Sequence, residues 1–221
     1  KAIEKARAGK EVTLAYIGGS ITQGAGATPI NTECYAYKSY QLFKSRFAMG
    51  DNVKFVKAGV GGTPSELGML RFDRDVLRDG EKPDIVVVEF AVNDEGDETK
   101  GDCYESLVRK IIKLDWNPAV VLLFSVFAND WNLQDRLSPV GRLYDLPMVS
   151  IKDTVVEQFT KKPNEGRVLT KNQFFYDMFH PSNLGHTIMA DCLQYLFERC
   201  DLREHARLDA FESGLTEEGM L

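Results

Sequence analysis

The sequence has no excess of basic residues and no apolar stretch long enough to cross a membrane. Lysine and arginine number 27 against 33 aspartates and glutamates, which gives a net charge of -6. The phosphates of nucleic acids repel an acidic chain of this kind, so nucleic acid is not an expected partner. The apolar run AVVLLFSVFA is about half of the roughly 20 residues that a membrane-spanning helix needs. We therefore predict neither a membrane span nor nucleic-acid binding.

The four cysteines lack the close spacing of a disulfide framework or a zinc site. They are scattered along the chain, with no CxxC pair and no neighbouring histidine ligands: Cys34, Cys103, Cys192 and Cys200. The first residues, KAIEKARAGKEV, also lack the apolar core of a signal peptide. Free thiols and a charged start favour a cytoplasmic location, although a chain secreted after removal of a signal peptide would look the same.

The glycine-rich segments lack the residues that bind phosphate. In AYIGGSITQGAGA, Gly24 follows Gly19 at P-loop spacing, but Ala25 stands where a P-loop has lysine. Neither GAGATP nor GVGGTP completes the dinucleotide motif GxGxxG. Thr22 replaces the second glycine of the nucleophile turn GxSxG. Two interpretations of Ser20 therefore stay open at this point: a helix cap, or a hydroxyl exposed for reaction at the end of a strand.

Short β-prone runs alternate with amphipathic helical patterns along most of the 221 residues. Two of the runs, IVVVEF and AVVLLFSVF, are almost continuously apolar, as is typical of central strands that are covered on both faces. The alternation predicts repeated βαβ units. We predict strands at Val12–Ile17, Val53–Ala58, Ile85–Phe90, Val120–Phe127 and Pro147–Ser150. We predict helices at Tyr35–Phe47, Ser65–Leu77, Tyr104–Leu114, Ile151–Thr160 and Leu184–Arg199.

These elements predict an α/β fold, a three-layer αβα sandwich with a five-stranded parallel sheet of the flavodoxin-like kind. One domain would occupy residues 1–200. Residues 201–221 are acidic and lose the helical period, so we expect a tail or the beginning of a further module there. In open parallel sheets, ligands bind beyond the carboxyl ends of the strands, so functional residues are expected in the loops that follow the strands.

Three of these loops carry groups that are suited to bind an oxyanion or a polar ligand. The glycine turn after the second strand, residues 59–62, can point the N–H of Gly62 outward, or it can simply begin a helix. Asn93, after the third strand, can donate its amide into the cleft or form an ordinary Asn-Asp turn. Trp131 and Asn132, after the fourth strand, are suited to contact a sugar, and a polar loop around a packed tryptophan is the alternative.

The acidic residues after Asn93 are interpreted as solvated loop charges rather than as a metal cluster: Asp94, Glu95 and Asp97. No metal site is predicted anywhere in the sequence.

One of the three histidines follows an aspartate at a spacing that is useful for catalysis. In DMFHPSNLGH, Asp177 precedes His180, and a carboxylate so placed can accept the Nδ1–H of the ring and leave Nε2 to deprotonate a hydroxyl. A surface Asp-His turn is the alternative. His186 lies within a helical pattern, which indicates a structural role.

The order of these segments resembles that of the SGNH hydrolase family, also called the GDSL esterase and lipase family. GGSIT is similar to the first family block, with Gly19 in place of the usual aspartate. AGVGGTPS is similar to the second block, although Lys57 precedes it where asparagine is common. EFAVND and DMFHPSNLGH are similar to the third and last blocks. The resemblance covers about residues 12–197.

The resemblance implies a carboxylic ester hydrolase with Ser20 as nucleophile, His180 as base and Asp177 as the acid that orients the base. It also implies an oxyanion hole whose donors are the N–H of Ser20, the N–H of Gly62 and the side chain of Asn93. The N–H of Gly61 is the alternative to that of Gly62. The implied reaction passes through an acyl-enzyme and requires no metal or organic cofactor.

The variant first block and the polar loop NDWNLQ look most like the carbohydrate acetylesterase branches of the family. The sequence also lacks a long apolar lid, which favours a short acyl group. We therefore expect acetyl esters of a small molecule or an oligosaccharide. A lipid or thioester acylhydrolase of the same fold and a glycan-binding module without catalysis are the alternatives.

Overall fold

The computed structural model describes residues 1–212, and side chains as far as Arg203. Five strands form one sheet in the order β2-β1-β3-β4-β5, and every neighbouring pair is parallel. The strands are β1 (Val12–Gly18), β2 (Val53–Gly59), β3 (Ile85–Glu89), β4 (Ala119–Phe124) and β5 (Met148–Ser150). This is the flavodoxin-like order, so the predicted fold class is confirmed.

Nine α-helices accompany the sheet in the described part of the chain. They are α1 (Ala2–Arg7), α2 (Ser20–Gln23), α3 (Tyr35–Phe47), α4 (Ser65–Asp75), α5 (Asp102–Ile112), α6 (Gln134–Leu143), α7 (Ile151–Thr160), α8 (Lys171–Phe174) and α9 (Asn183–Glu212). Short 3₁₀ turns lie at Arg78–Gly80 and Pro163–Glu165. Helix α9 begins inside the last motif and passes residue 200, where the sequence predicted a tail. Residues 213–221 of that predicted segment lie outside the described residues.

The sheet separates two apolar cores, because alternate residues of each strand point to opposite faces. On one face, Leu14 and Val87 pack with helices α1, α3, α7, α8 and α9. On the other, Ile17 and Val88 pack with α4, α5 and α6. All five residues of β3 are buried, which accounts for the apolar run Ile85–Val88 that precedes its last residue, Glu89.

Two differences from the predicted elements have clear physical causes. β4 ends at Phe124, earlier than predicted, because β5 pairs with it only as far as Ser150, which lies opposite Phe124. Helix α6 escaped prediction because Pro139 and Gly141 lie within it, and both residues disfavour helices. Its buried face nevertheless packs on the sheet and stabilises the helix.

Candidate active site

The predicted site residues of the first three strand loops meet at one crevice. In the observed strand order, the chain runs from β1 to β2 in one direction along the sheet and from β3 to β4 in the opposite direction. In open α/β sheets, ligands bind in the crevice at such a switch point, here between β1 and β3. Ser20 follows β1, and Asn93 follows β3, the adjacent strand. The glycine turn follows β2 on the other side of β1.

Ser20 is the first residue of the short helix α2, directly after β1. Its Oγ lies 3.0 Å from Nε2 of His180, a residue 160 positions away in the sequence. The backbone N–H of Ser20 has no acceptor among the described residues. Ser20 therefore combines a hydroxyl beside an imidazole nitrogen with a free N–H at the start of a helix.

His180 is held by the carboxylate of Asp177. The ring Nδ1 lies 2.9 Å from Oδ2 and 3.0 Å from Oδ1 of that carboxylate. Oδ1 also accepts the backbone N–H groups of Phe179 at 2.7 Å and His180 at 2.8 Å. Partial burial acts to raise the pKa of Asp177, but these hydrogen bonds outweigh it and hold the pKa below its ordinary value. The carboxylate thus stays ionised and fixes the proton of the ring on Nδ1.

The amide of Asn93 lies directly against Gly19. A Cβ at position 19 would come within 2.5 Å of both Nδ2 and Oδ1 of that amide, so only glycine leaves room for it. Among the described residues the side-chain oxygen of Asn93 is buried without a hydrogen-bond partner. The glycine that replaces the usual family aspartate therefore allows the amide of Asn93 to reach the backbone beside Ser20.

The glycine turn presents one of its two candidate N–H groups. The N–H of Gly61 donates to Oε1 of Gln23 at 3.0 Å, so it is already paired. Gly62 has a φ of 71°, a left-handed conformation that glycine adopts without strain. Its N–H has no acceptor within the described part of the chain. Of the two rivals, Gly62 is the one with a donor to offer.

Two buried charged side chains, which the sequence analysis did not single out, support the ends of these strands. The guanidinium of Arg71 donates to the carbonyls of Ala58 at 2.7 Å and Gly18 at 2.8 Å. Glu89, the last residue of β3, is fully buried and accepts the hydroxyl of Thr22 at 3.2 Å. Burial raises the pKa of Glu89 to about 7, against the effect of nearby hydroxyls. Neither role was evident from the sequence, because Arg71 lies in the charged helix α4 and Glu89 at the end of an apolar strand.

His186 has the structural position that its helical pattern indicated. It is fully buried, its Nδ1 accepts the N–H of Tyr35 at 3.1 Å, and its Nε2 donates to the carbonyl of Ala25 at 3.0 Å. Burial lowers the pKa of His186 to about 4, so the ring is neutral at physiological pH.

Trp131 lies in a loop that is tied to the segment around His180. Its ring stacks on Phe127 at a centroid distance of 5.6 Å, and Phe127 meets the edge of Phe179 at 5.1 Å. The N–H of Ala128 donates to the carbonyl of Met178 at 3.1 Å. Phe179 is half-exposed beside His180, so the aromatic group forms a wall next to that ring.

Asn132 uses its side chain within that loop. Its Nδ2 donates to the carbonyl of Ser125 at 2.8 Å, and its Oδ1 accepts the N–H of Gln134 at 3.2 Å. The side chain therefore shapes the loop, and its contact with a substrate stays a prediction.

One acidic residue after Asn93 differs from the prediction of solvated charges. Asp94 is fully buried, and its carboxylate accepts the N–H of Ser65 at the start of α4, at 2.8 Å. Burial raises the pKa of Asp94. Asp97 instead accepts N–H groups of its own loop, from Thr99 and Gly101. No group of three metal-ligating side chains occurs among the described residues.

A cleft of about 170 Å³ adjoins the amide of Asn93. It is lined by Pro64, Glu66, Asn93, Gly96 and Asp97. The carboxylate of Asp97 is occupied within its loop, whereas Glu66 is exposed on the first turn of α4. The cleft therefore offers a carboxylate close to the crevice.

No helix in the described residues is long and apolar enough to cross a membrane.

The comparisons with known proteins concern the family and the fold. A search of the curated proteins finds no match. Among solved structures, a two-domain esterase, CEX, active on acetylated mannans, has a TM-score of 0.78 and 34% identity. The alignment covers 89% of this chain and 51% of the other, so this chain spans about half the length of that esterase.

A second solved structure supports the fold alone. Axe2, an acetylxylan esterase from Geobacillus stearothermophilus, has a TM-score of 0.60 and 19% identity, over 84% of this chain and 94% of that one. The model of the GDSL-like lipase/acylhydrolase family matches residues 16–188. That match extends over most of the chain, from β1 into α9, and the chain therefore belongs to the GDSL-like lipase/acylhydrolase family.

Proposed function

We propose that this acylhydrolase is a serine esterase that removes short acyl groups, acetyl above all, from carbohydrates. The observation that carries the proposal is the continuous contact from Ser20 Oγ through His180 to Asp177, at 3.0 Å and 2.9 Å. A solvated surface turn has no need of a serine hydroxyl from the far end of the chain. A nucleophile, a base and an orienting acid require this arrangement.

In the first half of the reaction, Ser20 attacks the ester carbonyl. Nε2 of His180 takes the proton from Oγ as the bond to carbon forms, and Asp177 stabilises the resulting imidazolium through Nδ1. His180 then gives that proton to the departing alcohol, and the acyl group stays on Ser20. Water, deprotonated by His180 in turn, hydrolyses the acyl-enzyme and restores the serine.

Three donors stabilise the negative charge that develops on the carbonyl oxygen. They are the N–H groups of Ser20 and Gly62 and the side-chain amide of Asn93. The N–H groups of Ser20 and Gly62 have no backbone acceptor in the described residues, which leaves them available to the oxyanion. The amide of Asn93 lies against Gly19, beside Ser20. Donors fixed before the reaction stabilise the transition state without a cost of reorganisation.

Two features support a carbohydrate as the alcohol part of the ester. The aromatic wall of Trp131, Phe127 and Phe179 provides an apolar surface of the kind on which a sugar ring packs, beside His180. Glu66, in the cleft next to Asn93, has a carboxylate that can accept sugar hydroxyls. The similarity to an esterase active on acetylated mannans favours the same class of substrate.

The nucleophile is tested with Ser20→Ala and an activated acetyl ester, p-nitrophenyl acetate. We expect the rate to fall by roughly 10⁴-fold or more, because the acyl-enzyme cannot form. Ser45→Ala, which alters an exposed serine of α3, is the matched control and keeps full activity. A fluorophosphonate should label the wild type at Ser20 and leave Ser20→Ala unlabelled. Undiminished turnover by Ser20→Ala would refute the mechanism.

The substrate is tested by measuring acetate released from acetylated mannan, acetylated xylan and acetylated monosaccharides. A series of p-nitrophenyl esters of increasing chain length gives the acyl preference. We expect the acetyl ester to be the best of the series. A maximum at eight carbons or more would instead favour the lipid acylhydrolase alternative, and labelling without turnover of any acetylated sugar would remove the carbohydrate assignment.

A further inference from the structure

Two separate segments must keep a fixed spacing for the proposed oxyanion hole to work. Ser20 lies at the start of α2, and Gly62 lies in the turn after β2. Helix α2 has only four residues, so its own hydrogen bonds stabilise it little. Side chains that connect α2 to the glycine turn therefore have a direct effect on where the two donors lie.

Gln23, the last residue of α2, makes that connection. Its Oε1 accepts the N–H of Gly61 at 3.0 Å. The turn is attached a second time by the N–H of Val60, which donates to the carbonyl of Gly18 at 3.1 Å. The attachment by Gln23 comes from the same helix as Ser20, and it acts on the residue directly before Gly62.

Lys57 holds Gln23 from the other side. Its Nζ donates to the carbonyl of Gln23 at 3.0 Å and to Oδ1 of Asn31 at 3.0 Å. The residue that departs from the family pattern in the second block is thus attached to the end of α2. Gln23 is fixed at its backbone by Lys57 and at its side chain by Gly61, although the side chain itself is exposed.

The pairing also decides which N–H is free. Because Gly61 donates to Gln23, it is withdrawn from the crevice as a donor, and the next N–H along the chain belongs to Gly62. The acceptor of Gln23 therefore occupies the N–H of Gly61 and limits the movement of the N–H of Gly62. Fixed donors of this kind stabilise a transition state more than mobile ones do.

We propose that Gln23 is a positioning residue that holds the N–H of Gly62 in place for the oxyanion by binding the N–H of Gly61. The inference rests on the proposed esterase function. A single hydrogen bond of this type corresponds to about a three- to tenfold change in rate. The loss of an entire oxyanion donor, on the order of 100-fold, is the upper limit.

The test compares Gln23→Met, which keeps the length of the side chain but removes the acceptor, with Gln23→Glu, which keeps an acceptor oxygen. Both are assayed on p-nitrophenyl acetate, with kcat and KM determined separately and the melting temperature measured. Gln41→Met, the same substitution at an exposed position of α3, is the matched control. We expect Gln23→Met to lower kcat about three- to tenfold with KM unchanged, and Gln23→Glu to retain more of kcat.

Three outcomes would overturn the inference. They are an unchanged kcat in Gln23→Met, an effect on KM alone, or equal losses in Gln23→Met and Gln23→Glu. An effect on KM would mean that Gln23 contacts the substrate, and equal losses would mean that the acceptor is irrelevant. Ser20→Ala, assayed beside these variants, distinguishes failure of the positioning role from failure of the proposed esterase function. If it is inactive while Gln23→Met is normal, only the positioning role fails, whereas turnover by Ser20→Ala refutes the proposed function as well.

Discussion

His180 and His186 lie close together in the sequence and have opposite surroundings. His180 is partly exposed and faces two side chains, the carboxylate of Asp177 and the hydroxyl of Ser20. His186 is fully buried and faces two backbone groups, the N–H of Tyr35 and the carbonyl of Ala25. A hydroxyl that can give up its proton and a carboxylate that stays ionised suit a ring for proton transfer, whereas fixed backbone partners and burial keep a ring neutral. The hydrogen-bond partners of each ring, more than its place in the motif, therefore distinguish the candidate base from the structural histidine.

The comparison predicts its largest effect for His180→Asn. Turnover of p-nitrophenyl acetate should fall by roughly 10⁴-fold or more, since the general base is lost. The free energy of unfolding in urea should change little, because the ring is partly exposed and its hydrogen bonds are to two other side chains, Asp177 and Ser20. If the variant lost stability but kept activity, the assignment of the two histidines would have to be exchanged.

Asp177→Asn sharpens the comparison, because it alters the partner of His180 and not the ring. The amide oxygen can still accept the N–H groups of Phe179 and His180, so the turn is preserved. The charge that holds the proton on Nδ1 is gone, and the wrong tautomer becomes available. We expect kcat to fall on the order of 10³- to 10⁴-fold. A loss of tenfold or less would show that the carboxylate has only a structural role in this turn.

The sequence predicted the fold class and the loops that carry the candidate site, because strand and helix patterns and their boundaries are local features of the chain. Ser20, Asn93 and His180 each follow or precede an apolar run with a recognisable boundary. It could not predict Asp94 or Glu89, since burial of a carboxylate depends on which helix start or hydroxyl packs against it in three dimensions. Helix α2 was missed for the same reason: its four residues have no period, and its position depends on contacts with β2 and the glycine turn.

His186→Ala tests the architectural side of the comparison. The substitution leaves the buried N–H of Tyr35 and the partly buried carbonyl of Ala25 without partners, and it opens a cavity. Unpaired buried groups and a cavity should together lower the free energy of unfolding by roughly 3 kcal/mol. The measurement is urea unfolding at pH 7, and activity per folded molecule should stay within about tenfold of the wild type. Full stability in this variant would contradict the structural role.

The smallest predicted effect is on the pH dependence of the free energy of unfolding, to which His186 and Glu89 contribute with opposite signs. The pKa of His186 is lowered from 6.5 to about 4, so its contribution to stability is lost as the pH falls from 6.5 toward 4. The pKa of Glu89 is raised from 4.5 to about 7, so its contribution is complete below pH 4.5 and is lost as the pH rises through 7. Between pH 7 and pH 5 the two changes have opposite signs and similar sizes, each about 2 kcal/mol.

Glu89→Gln removes one side of this balance and keeps the shape of the side chain. From pH 7 to pH 5, its free energy of unfolding should therefore fall by about 2 kcal/mol more than that of the wild type. Urea unfolding at both pH values, with Glu95→Gln as a control at an exposed acid, measures the difference. Parallel pH dependences in Glu89→Gln and the wild type would mean that Glu89 ionises normally in the folded protein. The stability that His186 contributes would then be lost between pH 7 and pH 5 without an opposing change at Glu89.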